Sequence, residues 1–278
     1  MENNKKEQQI ELQYYCDSQE NIDNNRRNLQ MAEKPFYENP FTVPSPKVDA
    51  EVLRLKELHL KRVTESSTFQ EGLLIMISKI VEMTRLLSKC FSGADSSVAD
   101  RCAMLAKEVN EEEKILTRHL ASSGIRGDMW KGLLRFPYRL ERIGDMLETM
   151  LHCFRVKART GVSFTEKAHE ELDRLFAILL DMMSDLRDSL LTPNQEILGR
   201  ITAHGKEVRQ LVDEFRTAHW RRMEAGICAP AASSMYREIL DSIKWADEYL
   251  EKICESLVEL EQGSEWSDGV NAPHEPNV

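Results

Sequence analysis

The chain has 278 residues, with 37 Lys and Arg against 47 Asp and Glu, a formal charge of −10 at pH 7. That balance argues against a duplex nucleic-acid binder, whose phosphate contacts need clustered cations. A mean hydropathy of −0.46 with no long apolar run excludes a transmembrane helix. Met1 to Ile10 hold no apolar stretch, so no signal peptide is expected. The six cysteines, Cys16, Cys90, Cys102, Cys153, Cys228 and Cys254, form no Cys-x-x-Cys pair. They read as reduced thiols of a cytoplasmic protein, mostly packed in its core, rather than as disulfides or zinc ligands.

Residues 1–48 read as a flexible tail. They are rich in Glu, Asn, Gln and Lys, and four of the nine prolines fall between Pro35 and Pro46. Such a composition buries too little apolar surface to offset its ordering entropy, although Phe36, Tyr37 and Phe41 could dock on the body. The rest is helical. The first helix starts near Val48 or Ser67 and runs to Phe91, on the stripe Leu73, Met76, Ile77, Ile80, Met83 and Leu87. The second covers about 95–122 on Cys102, Leu105, Val109, Leu116 and Leu120. The third covers about 128–158 on Leu140, Ile143, Leu147, Met150, Leu151 and Phe154, and Pro137 predicts a kink or a late start.

Ser163-Phe164-Thr165-Glu166 has the form of a capping box opening a fourth helix, whose stripe includes Leu172, Leu175, Leu179 and Leu186. Thr192-Pro193-Asn194-Gln195 places an N-cap and a first-turn proline before a fifth. A sixth spans about Ser234 to Glu261. Gly263 to Val278 form a second loose tail, with Trp266 able to pack back. Short turns make the helices antiparallel neighbours. The plan also repeats: Lys107-Glu108-Val109 returns as Lys206-Glu207-Val208, and Leu140, Ile143 and Met150 return as Leu240, Ile243 and Leu250. The expected architecture is all-α, two tandem three-helix bundles over 49–160 and 161–262.

One helix concentrates ligand-type residues. Glu141, Asp145, Glu148 and His152 are spaced to share one face of the third helix. Three carboxylates and an imidazole suit a hard or borderline cation; a solvated face balanced by Arg139 and Arg142 is the plainer reading. His119, His204 and His219 read as packed or solvated. Arg216, Arg221 and Arg222 with Trp220 form a basic, aromatic patch that could meet phosphate or an acidic partner, with a solvated helix face as the plainer reading.

The string Leu140-Glu141-Arg142-Ile143-Gly144-Asp145, on the third helix of a duplicated triplet, resembles the hallmark of the PhoU family. The resemblance implies two three-helix repeats side by side, and iron or zinc at acidic motifs. It also implies a non-catalytic role in regulating phosphate uptake, with a phosphate transporter complex or a sensor histidine kinase as partner, and contact with the membrane only through such partners. Gly144 would serve close helix approach. The second repeat departs from the motif: Asp241-Ser242-Ile243-Lys244-Trp245 keeps the first acid and loses the second, and Met104 to Ala106 and His204-Gly205 stand where acids are expected. Metal is therefore expected in the first repeat only, on Glu141 and Asp145, with Glu148 and His152 from the same face.

Two other classes stay open. One is a bundle that has lost metal binding and assembles with itself or a partner. The other is a di-metal carboxylate enzyme, which needs Glu-x-x-His on each of two helices; Glu148 and His152 are instead four apart, and no second copy exists.

Overall fold

The computed structural model describes residues 58–61, 68–91, 93, 96–191 and 194–262. The expected tails, with Phe36, Tyr37, Phe41 and Trp266, lie outside the described residues, as does Cys16. Six helices follow a short 3-10 turn at Leu58–Leu60, and the described residues contain no strand. They are α1 (Phe69–Phe91), α2 (Ser96–Ser122), α3 (Gly127–Thr160), α4 (Glu166–Leu191), α5 (Gln195–Glu224) and α6 (Pro230–Gln262).

Helix existence follows the apolar stripes, but several ends do not follow the expected caps. Thr68 opens α1, its Oγ1 accepting from Glu71 N at 3.1 Å, which fits the expected start near Ser67; the alternative start at Val48 lies outside the described residues. At α4 the cap is Thr165, not Ser163: its Oγ1 accepts from Ala168 N at 3.2 Å. At α5 the cap is Asn194, whose side chain accepts from Glu196 N at 2.8 Å, while Thr192 and Pro193 lie outside the described residues. In both cases the cap is the polar residue nearest the first buried turn, because only there does its oxygen reach an unpaired helix N–H. The third helix does not start late: α3 begins at Gly127 and passes through buried Pro137. It ends at Gly161, whose φ of 68° is the left-handed conformation that favours glycine.

α1, α2 and α3 close one triplet; α4, α5 and α6 close the other, and the triplets join along α1–α4 and α3–α6. One continuous apolar core runs through both. Phe91 sits at the join, with ring centroids 5.4 Å from Phe176 and 5.9 Å from Phe154. Arg139 also serves this seam: its Nη1 donates across to α6, to Lys252 O and, at 2.7 Å, to Ser256 Oγ.

Burial repeats with the sequence. The buried positions of α1 and α2 recur 99 residues later in α4 and α5, as Leu73 and Leu172 or Val109 and Val208 show; those of α3 recur 100 residues later in α6, as Ile143 and Ile243 show. This register makes each departure between the repeats readable residue by residue.

Candidate functional site

α3 turns Leu140, Ile143 and Leu147 into the core. The next face meets α2, where Gly144 lets the helices close up: a Cβ there would lie 3.1 Å from Val109 Cγ1. Beside this contact runs a groove of about 380 Å³ lined by Lys107, Asn110, Glu111, Glu141, Asp145 and Glu148. The close approach of α2 half-buries Glu141 and Asp145.

Arg142 already serves both carboxylates. Its Nη1 lies 2.6 Å from Asp145 Oδ2 and its Nε 3.4 Å from Glu141 Oε2. Asn110 Nδ2 donates to Glu141 Oε1 at 3.4 Å. Burial pushes the Glu141 carboxyl above its ordinary value and the charge of Asp145 adds to that, with Arg142 opposing; burial likewise raises Asp145 against Arg142. Two negative charges held in a groove that disfavours them form a site a cation would relieve.

His152 is exposed and separate from Glu141. It lines a neighbouring depression with Asp145, Glu148, Thr149 and Arg155, and Arg155 is taken up by Asp100 at 2.7 Å. Among the described residues, no three His, Cys, Asp or Glu side chains converge as metal ligands.

The second repeat builds something else on the matching surface. Asp241 is exposed and pairs with Arg216 Nη2 at 2.5 Å. Trp245, in the register of Asp145, is half-exposed, as is Trp220, and both line a groove with Arg216 and Arg237. Arg222 is not part of this basic face; it turns inward and binds Glu171 of α4 through two hydrogen bonds of 2.8 and 2.7 Å.

Several buried charged residues were missed in the sequence. Asp247 stands in the register of the core residue Leu147 and is fully buried. Arg209 Nη1 reaches Asp247 Oδ2 at 2.7 Å and Glu251 Oε2 at 3.0 Å. A Cβ on Gly205 would overlap Asp247 Oδ1, and that oxygen has no hydrogen-bond partner among the described residues. The one signal was an acid interrupting the stripe Ile243, Leu250 and Ile253.

Burial pushes Asp247 up to about 6, with Arg209 opposing. A carboxyl raised in the folded state favours folding below its unfolded value, and that contribution is lost as pH rises through about 6. The isosteric neutral variant Asp247→Asn is therefore expected to gain about 2 kcal/mol over the parent at pH 8 and nothing at pH 4. Urea denaturation of both proteins across this range checks it; a constant difference would show that Asp247 ionises as it would in water.

No protein-family model matches the sequence, and no curated protein matches it. Solved structures do. The chain is similar to the phosphate transport system regulatory protein PhoU from Streptococcus pneumoniae, with a TM-score of 0.61 at 17% identity, covering 77% of this chain and 97% of that one. It is similar also to PhoU from Pseudomonas aeruginosa, with a TM-score of 0.62 at 16% identity, covering 78% and 99%. Together with the two packed triplets and the Leu140–Asp145 string on α3, this likeness shows that the chain has the PhoU fold.

Proposed function

We propose that the protein is a cytoplasmic, non-catalytic regulator of phosphate uptake. It acts by contact of its helix surfaces with a phosphate transporter complex or a sensor histidine kinase, and reaches the membrane only through such a partner. The observation that carries this reading is the match over nearly the full length of two PhoU chains, one of them described as a regulatory protein of a phosphate transport system. No helix among the described residues is long and apolar enough to cross a membrane, which suits action through a partner.

The proposal extends to one iron or zinc ion in the first repeat. The groove offers oxygens of Glu141 and Asp145, with Glu148 next along it and His152 beyond. Arg142 must release Asp145 for this. The donor set does not fit a multinuclear cluster, since no three donors converge among the described residues. The second repeat offers no equivalent, because Trp245 replaces the acid and Arg216 already neutralises Asp241.

Titrating iron(II) or zinc into the protein and into Asp145→Asn is expected to give one equivalent for the parent and none for the variant. Affinity should fall as pH drops, starting above the ordinary carboxylate range because Glu141 and Asp145 are both raised. Equal binding by both would remove the site, and two equivalents would overturn the claim of a degenerate second repeat. A pull-down from native membranes tests the regulatory reading separately: recovery of a phosphate transporter or sensor kinase supports it, and recovery of neither overturns it. A second reading, a bundle that has lost metal binding and assembles with a copy of itself or another protein, is favoured by the half-exposed Trp245, which stands in the register of Asp145, and by the half-exposed Trp220 in the same groove.

A further inference from the structure

The repeat register exposes a polar cluster that the first repeat lacks. Glu171 of α4, His219 and Arg222 of α5 and Tyr236 of α6 stand where the first repeat has Gly72, Leu120, Ser123 and Phe136. Glu171 accepts both hydrogen bonds from Arg222 and a third from the Tyr236 hydroxyl at 2.5 Å. The His219 ring packs 4.7 Å from the Tyr236 ring and is almost fully buried.

The turn between α5 and α6 closes this cluster and carries Cys228. Its Sγ lies 3.9 Å from His219 Nδ1. A cavity of about 30 Å³, lined by Phe164, Ala168, His219, Cys228 and Tyr236, opens beside them; it holds about one water-sized group.

Two observations set this thiol apart. Cys90, Cys102, Cys153 and Cys254 are buried, whereas Cys228 is partly exposed. Burial pushes the thiols of Cys102, Cys153 and Cys254 up to about 12. Second, burial and the charge of Arg222 hold His219 below its ordinary value, so the ring is neutral at pH 7. With Nδ1 facing the thiol as acceptor, the ring proton sits on Nε2, a buried nitrogen with no partner among the described residues. With the proton on Nε2, the Nδ1 lone pair faces a partly exposed thiol and is placed to accept its proton.

We propose that Cys228 is a reactive thiol, activated by His219, and that it is modified by hydroperoxides. His219 Nδ1 takes the thiol proton. A sulfur lone pair attacks one peroxide oxygen, an S–O bond forms and the O–O bond breaks. The leaving oxygen takes the proton back from His219, so hydrogen peroxide departs as water. Sulfur gives up two electrons, the peroxide gains two, and the product is a sulfenic acid.

The test uses the full-length protein. Cys228 is alkylated with iodoacetamide, or oxidised with hydrogen peroxide in the presence of dimedone, and each cysteine is followed by peptide mass spectrometry. The reference is a synthetic peptide of residues 224–232. Exposure alone would make a partly buried thiol slower than the peptide, whereas activation is expected to make it about ten-fold faster. His219→Gln, checked for unchanged helical circular dichroism, should return the rate to that of the peptide. A parent rate at or below the peptide's overturns the proposal, as does a rate that His219→Gln leaves unchanged. Should that variant fail to fold, the ratio of parent to peptide decides alone.

Discussion

Lys79→Met is expected to cost about 3 to 5 kcal/mol of folding stability, because it strips the cation from a buried ion pair. Lys79 lies on the core side of α1, with no exposed surface, and its Nζ reaches Glu108 Oε2 at 2.5 Å and Glu112 Oε1 at 3.1 Å on α2. Glu112 has no exposed surface either. Without the ammonium, that buried carboxylate loses the cation facing it, and keeping its charge away from water then costs free energy. The second repeat shows the alternative. In the same register it carries the apolar residues Ile178 and Leu211, both packed on the core. The double variant Lys79→Ile with Glu112→Leu is therefore expected to recover most of the loss, since replacing a buried pair by apolar residues of similar volume is commonly neutral or stabilising. Urea denaturation of the parent, the single and the double variant measures it. A single-variant loss under about 1 kcal/mol would show that water reaches the pair.

Arg222→Met is expected to cost a similar amount, about 3 to 5 kcal/mol, for the same reason on different elements. The Glu171 side chain is 2% exposed and that of Arg222 13%, so removing the guanidinium leaves the carboxylate with the Tyr236 hydroxyl as its remaining hydrogen-bond donor from this cluster. Glu171→Gln should cost less. It keeps the oxygen that accepts from Tyr236, and Arg222 retains access to water. Equal losses in the two variants, measured by urea denaturation, would show that packing rather than charge dominates at this position.

These predicted effects share a source that one-dimensional pattern could not supply. The stripes were legible because most of the helices bury about one side in a common core, and burial at helical spacing writes itself into the sequence; α1 is buried on all sides from Gly72 to Val81. The repeat was legible because the same stripes and the Lys-Glu-Val string recur. The Leu140–Asp145 string was legible as a resemblance, and α3 does set Glu141 and Asp145 side by side in a groove against α2. What α2 adds was not legible: Asn110 on Glu141, Val109 against Gly144, and the burial that raises both carboxyls. Nor was the place of Arg142, which sits between the two acids in the sequence and between their oxygens in space.

The sequence by itself determined an all-helical chain, its division into two similar triplets and the position of the acidic face on the third helix. It did so because local hydrogen bonding, helix periodicity and glycine punctuation act over a few residues. Only the tertiary structure decided which charged residues go inside. Lys79 meets Glu108 from 29 residues away, Glu171 meets Arg222 from 51 and Tyr236 from 65. A buried charge is tolerable only where a partner from another helix stands within hydrogen-bonding distance. That condition is set by how the helices pack, so Arg222 looked like part of a solvated basic patch until α4 brought Glu171 to it. The same packing turned Asp247, in the sequence only an acid interrupting an apolar stripe, into a buried carboxyl, and placed His219 beside Cys228.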